Sequence, residues 1–197
     1  MSTLTIDSVT KEYGDVTALD DVSFEIDDEF VVLLGESGAG KSTLLRCING
    51  LTEPTDGDIR LDGDSITRSN ADVGMIFQQH NLVEGLSAFA NALTGSLNEW
   101  STVRTLLQQQ DEATKTRALE ALETVGLLEE AHQRVSQMSG GQQQRVGIAR
   151  AMVQDPTFVL ADEPVASLDP SSAESVMGYL KKAADLHEVS ALVSLHQ

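Results

Sequence analysis

Nine consecutive residues, Gly35-Glu36-Ser37-Gly38-Ala39-Gly40-Lys41-Ser42-Thr43, could hold a chain of phosphates. They fit G-x-x-x-x-G-K-[ST] at every fixed position. Glycines let the backbone curl so that several N–H groups face one point, and a helix starting there adds partial positive charge. Lys41 can reach the outer phosphates, and the Ser42 hydroxyl can take a place on Mg²⁺. The apolar run Phe30 to Leu34 feeds the loop as a buried strand, and Leu44-Leu45-Arg46-Cys47-Ile48 leaves it as a helix. This pattern implies a nucleoside triphosphate. It does not separate a kinase, a GTPase, a DNA-associated motor or a transport ATPase.

A second acidic pair follows. Thr157-Phe158-Val159-Leu160-Ala161 is a short apolar run ending in Asp162-Glu163, which puts two carboxylates at the C-terminal tip of a buried strand. Ligands of open α/β sheets sit at those tips. Asp162 would hold Mg²⁺, directly or through water, and Glu163 would orient and polarise an attacking water. Taken alone, the pair also reads as two acids opening a turn at Pro164.

A third element, Ser139-Gly140-Gly141-Gln142-Gln143-Gln144-Arg145, precedes the helical pattern Val146, Ile148-Ala149 and Met152-Val153. Ser-Gly-Gly at a helix start is a further anion nest, or a flexible loop before a helix. One fold has little use for two nests on one nucleotide. Two chains placed head to tail would use both, each giving its nest to the other's γ-phosphate.

The elements around these residues come next. Leu4 to Ile26 read as short strands with turns at Tyr13-Gly14-Asp15 and Asp20-Asp21, and Asp56 to Gly63 adds another strand between turns. Val73 to Phe77 is a further core strand. From Ser87 to about Gln137 the pattern turns helical, with Ala118-Leu119, Ala121-Leu122 and Val125 marking one apolar stripe. Gln108-Gln109-Gln110 and Gln142-Gln143-Gln144 are too short to count as low complexity.

Length and charge bound the answer. The chain has 197 residues, enough for one domain with a sizeable core. Thirteen basic against 31 acidic residues give a formal charge of −18, which argues against nucleic acid as a partner. Five lysines, many acids and modest aromatic content point to work in high salt, where self-repulsion is screened. The single cysteine, Cys47, excludes an internal disulfide and reads as buried packing. The start, Met1 to Asp7, lacks a signal-type core, and no apolar stretch approaches about 18 residues. The expectation is an intracellular protein, held at a membrane only by a partner.

Taken together, the three motifs resemble those of ATP-binding cassette (ABC) ATPases, with Met138 where that family usually has Leu before its signature Ser-Gly-Gly-Gln. The resemblance runs along nearly the whole chain. Tyr13 matches the aromatic residue that stacks on adenine, although alone it is an ordinary surface or core aromatic. Gln78 matches the glutamine that touches Mg²⁺ and the attacking water. Ser167-Leu168-Asp169 matches the loop that contacts the other subunit, and His196 the switch histidine near the γ-phosphate. A narrower likeness is to the ATPase subunit of phosphonate importers, carried by Gly35 to Leu51, Ile76 to Val83 with His80, the Trp100 segment and Leu160 to Pro170.

The resemblance implies an α/β fold: a P-loop NTPase (ABC ATPase) core with an antiparallel β subdomain and an inserted α-helical subdomain. Residues 1–85 and 146–197 would form the core with its β subdomain, and 86–145 the helical part with the signature. It implies ATP and Mg²⁺, with Glu163, His196 and Gln78 catalytic, and Ser42, Gln78 and Asp162 at the metal. Tyr13, Gly35 to Thr43, Ser139 to Gln142 and Asp169 would bind nucleotide. The implied partners are a second copy head to tail, transmembrane permease subunits and a separate solute-binding protein, at the cytoplasmic face of the membrane. An ABC ATPase for another solute, or a soluble ABC ATPase without transport, stays open. Two departures stand out. The spacer Asp64 to Asp72 is short, and the chain stops one residue past His196, where the family continues with further strands and a helix. The expectation is a truncated chain whose last strand lies at an exposed sheet edge, with His196 on a frayed end.

Overall fold

A computed structural model describes residues 2–66, 72–79, 81–96 and 112–196. His80, the Trp100 segment, Gln108-Gln109-Gln110, Gln197 and most of the short spacer lie outside the described residues. Two four-stranded sheets organise the chain. The antiparallel sheet has the order β2-β1-β4-β5, from β1 (Thr3–Tyr13), β2 (Val16–Asp27), β4 (Asp56–Leu61) and β5 (Asp64–Ser65). The parallel sheet has the order β3-β8-β7-β6, from β3 (Phe30–Gly35), β6 (Val73–Ile76), β7 (Phe158–Asp162) and β8 (Ser190–His196). Five α-helices are described: α1 (Lys41–Ile48), α2 (Ala88–Leu93), α3 (Glu112–Thr124), α4 (Gly140–Val153) and α5 (Pro170–His187).

Side-chain alternation along the parallel strands builds the layers. Phe158 and Leu160 of β7, with Leu192 of β8, face α1 and the antiparallel sheet, where Leu44, Leu45, Ile48, Leu4, Ile6 and Ile59 complete one core. Val159, Ala161, Ala191 and Val193 face the other way, into a second core with α2, α3, α4 and α5. A strand covered on both faces reads as a continuous apolar run, which is why Thr157 to Ala161 carried no period of two.

The structure corrects several expectations. β1 and β2 are long strands joined by one two-residue turn with Gly14 at φ 60°; Asp20-Asp21 is no turn but a bulge inside β2. There Val9 pairs with Val22 but Lys11 with Leu19, and the Asp21 N–H donates to the Thr10 hydroxyl while Asp21 takes φ 48°. Phe30 to Leu34 is not a buried strand: β3 is the sheet edge, and Val32 and Leu34 are 42% and 57% exposed. β8 lies inside the sheet between β3 and β7, and His196 is in register beside Gly35, not on a frayed end. On α3, Ala118, Ala121 and Leu122 are buried, as is Val125 beyond its end, but Leu119 falls off the stripe and is exposed. α4 runs unbroken across residues 145–146, from its Ser139 cap to the second core. Cys47 is buried in the first core, and burial pushes its thiol up.

Candidate nucleotide site

The loop between β3 and α1 is held by two left-handed glycines. Gly38 and Gly40 both take φ 84°, a region costly to residues with a Cβ. Gly40 also presses on β2: a Cβ there would stand 2.4 Å from the Ala18 carbonyl oxygen. The close approach makes Val16, Thr17 and Ala18 the wall opposite the loop. Between them lies a cavity of about 420 Å³, lined by these residues, Ser37 to Thr43, Gln78 and Glu163. The α1 N-terminus has no side-chain cap and no acid in its first turn. Its open N–H groups and the positive end of its dipole suit an anion.

β7 brings the acids to this cavity. The Ser42 hydroxyl donates to Asp162 Oδ1 at 2.8 Å, so Asp162, 7% exposed, stands directly behind the first turn of α1. Glu163 takes φ 45°, a left-handed conformation that aims its side chain across the sheet tip, and its carboxylate lies 3.6 Å from Lys41 Nζ. The Lys41 ammonium also donates to the Gly35 and Glu36 carbonyls, at 2.7 and 3.0 Å. Two of its protons thus go to carbonyls, while the carboxylate stands within ion-pair but beyond hydrogen-bond distance. An entering phosphate would offer the same cation a stronger acceptor. Gly35 and Glu36 shape the site through those backbone oxygens and do not line the cavity.

The other expected residues are spread more widely. Gln78 borders the cavity and also a second groove of about 570 Å³ that continues past Gln79, Leu82, Glu84, Val135 and Gln143. Tyr13, 49% exposed, ends β1 just before the wall residues, with the Lys11 ammonium 5.1 Å from its ring centre; it does not line the cavity. Ser139 caps α4 in a capping box: its Oγ accepts from Gln142 N–H, and its own N–H donates to Gln142 Oε1. The hydroxyl proton is not used by this box. Gly140 and Gly141 follow in the first turn, and none of these four residues lines the cavity of their own chain. Asp169 caps α5, accepting from the Ser171 and Ser172 N–H groups. Hydrogen bonds from Ser172 and Ser171 hold its carboxyl well below the usual carboxylate range. His196, exposed, stands beside Gly35 at the same end of the sheet, outside the cavity lining.

Two features of the site have little local signal in the sequence. Val16 to Ala18 carried only a strand signal, because their role comes from the missing Cβ of Gly40. Ser194, like Ser190, is a polar residue inside an otherwise apolar strand, and a buried hydroxyl there requires a partner.

Comparison with known proteins bears on the whole chain. Residues 19–166 match the ABC transporter family. The chain is 78% identical over 197 residues to Phosphonates import ATP-binding protein PhnC 2 of Haloquadratum walsbyi, covering all of this chain and 70% of that protein. It is 65% identical over 198 residues to Phosphonates import ATP-binding protein PhnC of Halobacterium salinarum, covering 71% of that protein. A solved dimeric ATP-binding cassette in a post-hydrolysis state, bound to ADP and phosphate, is 34% identical with a TM-score of 0.80, over 98% of this chain and 88% of that one. A nucleotide-free cassette from an ABC transporter, at 24% identity, shares the fold with a TM-score of 0.86, covering all of this chain and 82% of that one. With its nucleotide-type cavity, its two-sheet fold and these relatives, the chain belongs to the ABC transporter family, as an ATP-binding cassette of the kind found in the phosphonates import proteins.

Proposed function

We propose that this chain is the ATP-hydrolysing subunit of an importer for phosphonates or a related phosphorus oxyanion. The observation that carries the reading is the convergence on one cavity of the 37–43 loop, Gln78 and Glu163, with Asp162 held behind Ser42. Phosphates would lie on the open N–H groups of α1 and draw Lys41 away from Glu163. Freed from the ammonium, Glu163 accepts the proton of the attacking water, and Gln78 orients that water. His196 would contact the γ-phosphate side from its place beside Gly35.

The residues present fit a magnesium ion. Ser42 and Asp162 offer two oxygen donors side by side, and Mg²⁺ prefers to take its remaining ligands from phosphates and water. Ser42 and Asp162, already 2.8 Å apart, would hold it, with Gln78 at its rim. When bound, Mg²⁺ neutralises charge on the phosphate oxygens.

Two copies would close head to tail. Ser139 to Gln142 caps α4 away from its own cavity, and its spare hydroxyl proton suits the γ-phosphate of a second chain. The dimeric relative supports this arrangement. Asp169 and its loop would meet the partner copy. Residues 86–145, continuing into α4, would be the helical subdomain, and the groove bordered by Gln78 would receive a helix of a permease subunit. Among the described residues no helix is long and apolar enough to cross a membrane, which suits a peripheral subunit at the cytoplasmic face. Phosphonate as the solute is supported by the likeness to phosphonates import ATP-binding proteins, and a separate solute-binding protein would deliver it. The mass of Glu163→Gln in solution, with and without Mg-ATP in concentrated KCl, tests the assembly. A shift from monomer to dimer supports it, and a monomer that still binds ATP contradicts it. Stimulation of ATP turnover, in the reconstituted complex, by phosphonate-loaded binding protein but not by the empty one tests the solute.

A further inference from the structure

Asp162 ends β7, Glu163 follows it directly, and His196 ends the neighbouring β8; a fourth side chain ties those strands together at the site. Ser194 is wholly buried on β8, two residues before His196. Its Oγ accepts from the Glu163 N–H at 3.0 Å and donates to Asp162 Oδ1 at 3.1 Å. A hydroxyl has one proton, and an N–H can only donate. The Glu163 bond therefore takes a lone pair, and the proton goes to the Asp162 carboxylate. Asp162 Oδ1 is thereby gripped from both sides, by Ser42 on α1 and by Ser194 on β8. The Glu163 bond fixes the one peptide whose left-handed turn, φ 45°, decides where the Glu163 carboxylate points.

We propose that Ser194 is a positioning residue for hydrolysis: its hydroxyl fixes the Asp162 carboxylate and the Glu163 backbone as one unit on the strand that carries His196. The inference rests on the ATPase reading above. Nothing about packing alone requires a hydroxyl at this place. Alanine would fill an apolar strand between Val193 and Leu195 and would serve the core as well, but it would leave the Glu163 N–H without its acceptor and Asp162 with one donor fewer. An unheld Glu163 peptide can leave its costly left-handed conformation, and the carboxylate then leaves the line of attack.

Three variants separate positioning from packing: Ser194→Ala removes the hydroxyl, Ser194→Cys keeps the shape with a weak donor, and Ser194→Thr keeps the hydroxyl with one added methyl. Each is measured in the full chain for ATP affinity in EDTA, for kcat at saturating Mg-ATP, and for the Mg²⁺ concentration giving half-maximal rate. The expected result is unchanged metal-free ATP affinity in Ala and Cys, with kcat lower by roughly tenfold or more, the scale of a hydrogen bond to a charged group. Both should need more Mg²⁺, and Thr should recover most of kcat. A kcat within about twofold of wild type in either Ala or Cys overturns the proposal, on the same scale. So does a fall in kcat that tracks lost ATP affinity and lost thermal stability across all three variants, because that is packing. If Ala fails to fold, Cys decides by the same two criteria. Glu163→Gln in the same assay keeps the two readings apart: wild type no faster than Glu163→Gln sinks the ATPase reading, whereas a fast wild type with an unaffected Ser194→Ala sinks only this one.

Discussion

Gly38 and Gly40 form a natural pair of perturbations, because both take φ 84° yet only one is crowded. At Gly38 an added Cβ meets nothing within 4 Å, so Gly38→Ala carries only the cost of a left-handed alanine, about 1–2 kcal/mol. At Gly40 the same conformational cost applies, and the Cβ would stand 2.4 Å from the Ala18 oxygen and 3.1 Å from Leu19 Cδ2. The first of these contacts is to backbone and cannot be relieved by a rotamer change. Overpacking of this kind adds about 1–3 kcal/mol, so Gly40→Ala should cost about 2–5 kcal/mol in all. Relief would come from moving the loop off β2, which widens the cavity and misaligns the α1 N–H groups. Gly40→Ala should therefore lose both stability and ATP affinity, and Gly38→Ala mainly stability. Urea denaturation with and without ATP reads both quantities. Equal destabilisation by the two substitutions, or normal ATP affinity in Gly40→Ala, would refute the claim that the loop is braced on Ala18.

Other expectations follow from single contacts. Glu163→Gln removes the carboxylate 3.6 Å from Lys41, so metal-free ATP affinity should rise by up to about tenfold in a binding titration; weaker binding would contradict the competition between carboxylate and phosphate. Ser139→Ala breaks the capping box of α4 and should cost about 1 kcal/mol in chemical denaturation, while Ser139→Asn should restore most of it. The Asp169 carboxyl is depressed in the folded chain, so its contribution is complete above the unfolded value of about 3.9 and is lost as pH falls below that, through the folded value. Asp169→Asn keeps an α5 cap but should flatten the fall of stability on that acid side, and an unchanged slope would show that the charge is idle. With a formal charge of −18, raising KCl should raise the melting temperature. The screening length falls from about 10 Å at 0.1 M to about 3 Å at 1 M, and a melting temperature that drops over this range would contradict the self-repulsion argument.

The site was legible where local pattern and chemistry coincide. The 35–43 loop, the acids at the tip of β7 and the Ser139 cap of α4 are each set by residues within a few positions of one another, so spacing alone located them. Strand order was not legible. Phe30 to Leu34 and Val189 to Leu195 are both apolar runs, yet the first became the exposed edge and the second an interior strand, because edge and centre are decided by which strands pair, not by composition. The Asp20-Asp21 pair carried a turn signal, and the left-handed Asp21 was spent on a bulge instead, since pairing of β2 with β1 resumes on both sides. The roles of Ala18 and Ser194 depend on contacts spanning 22 and 32 positions in the chain, to Gly40 and Asp162, which no local window contains.

Whether Glu163 is the base of an ATPase built on this loop is read from phosphate release from Mg-ATP by the full chain and by Glu163→Gln at equal nucleotide occupancy. The wild type should release phosphate, and Glu163→Gln should do so at a rate lower by at least about a hundredfold with nucleotide still bound, as expected when a general base is removed. Equal rates in the two proteins, or no nucleotide binding by a folded wild type, would contradict that role.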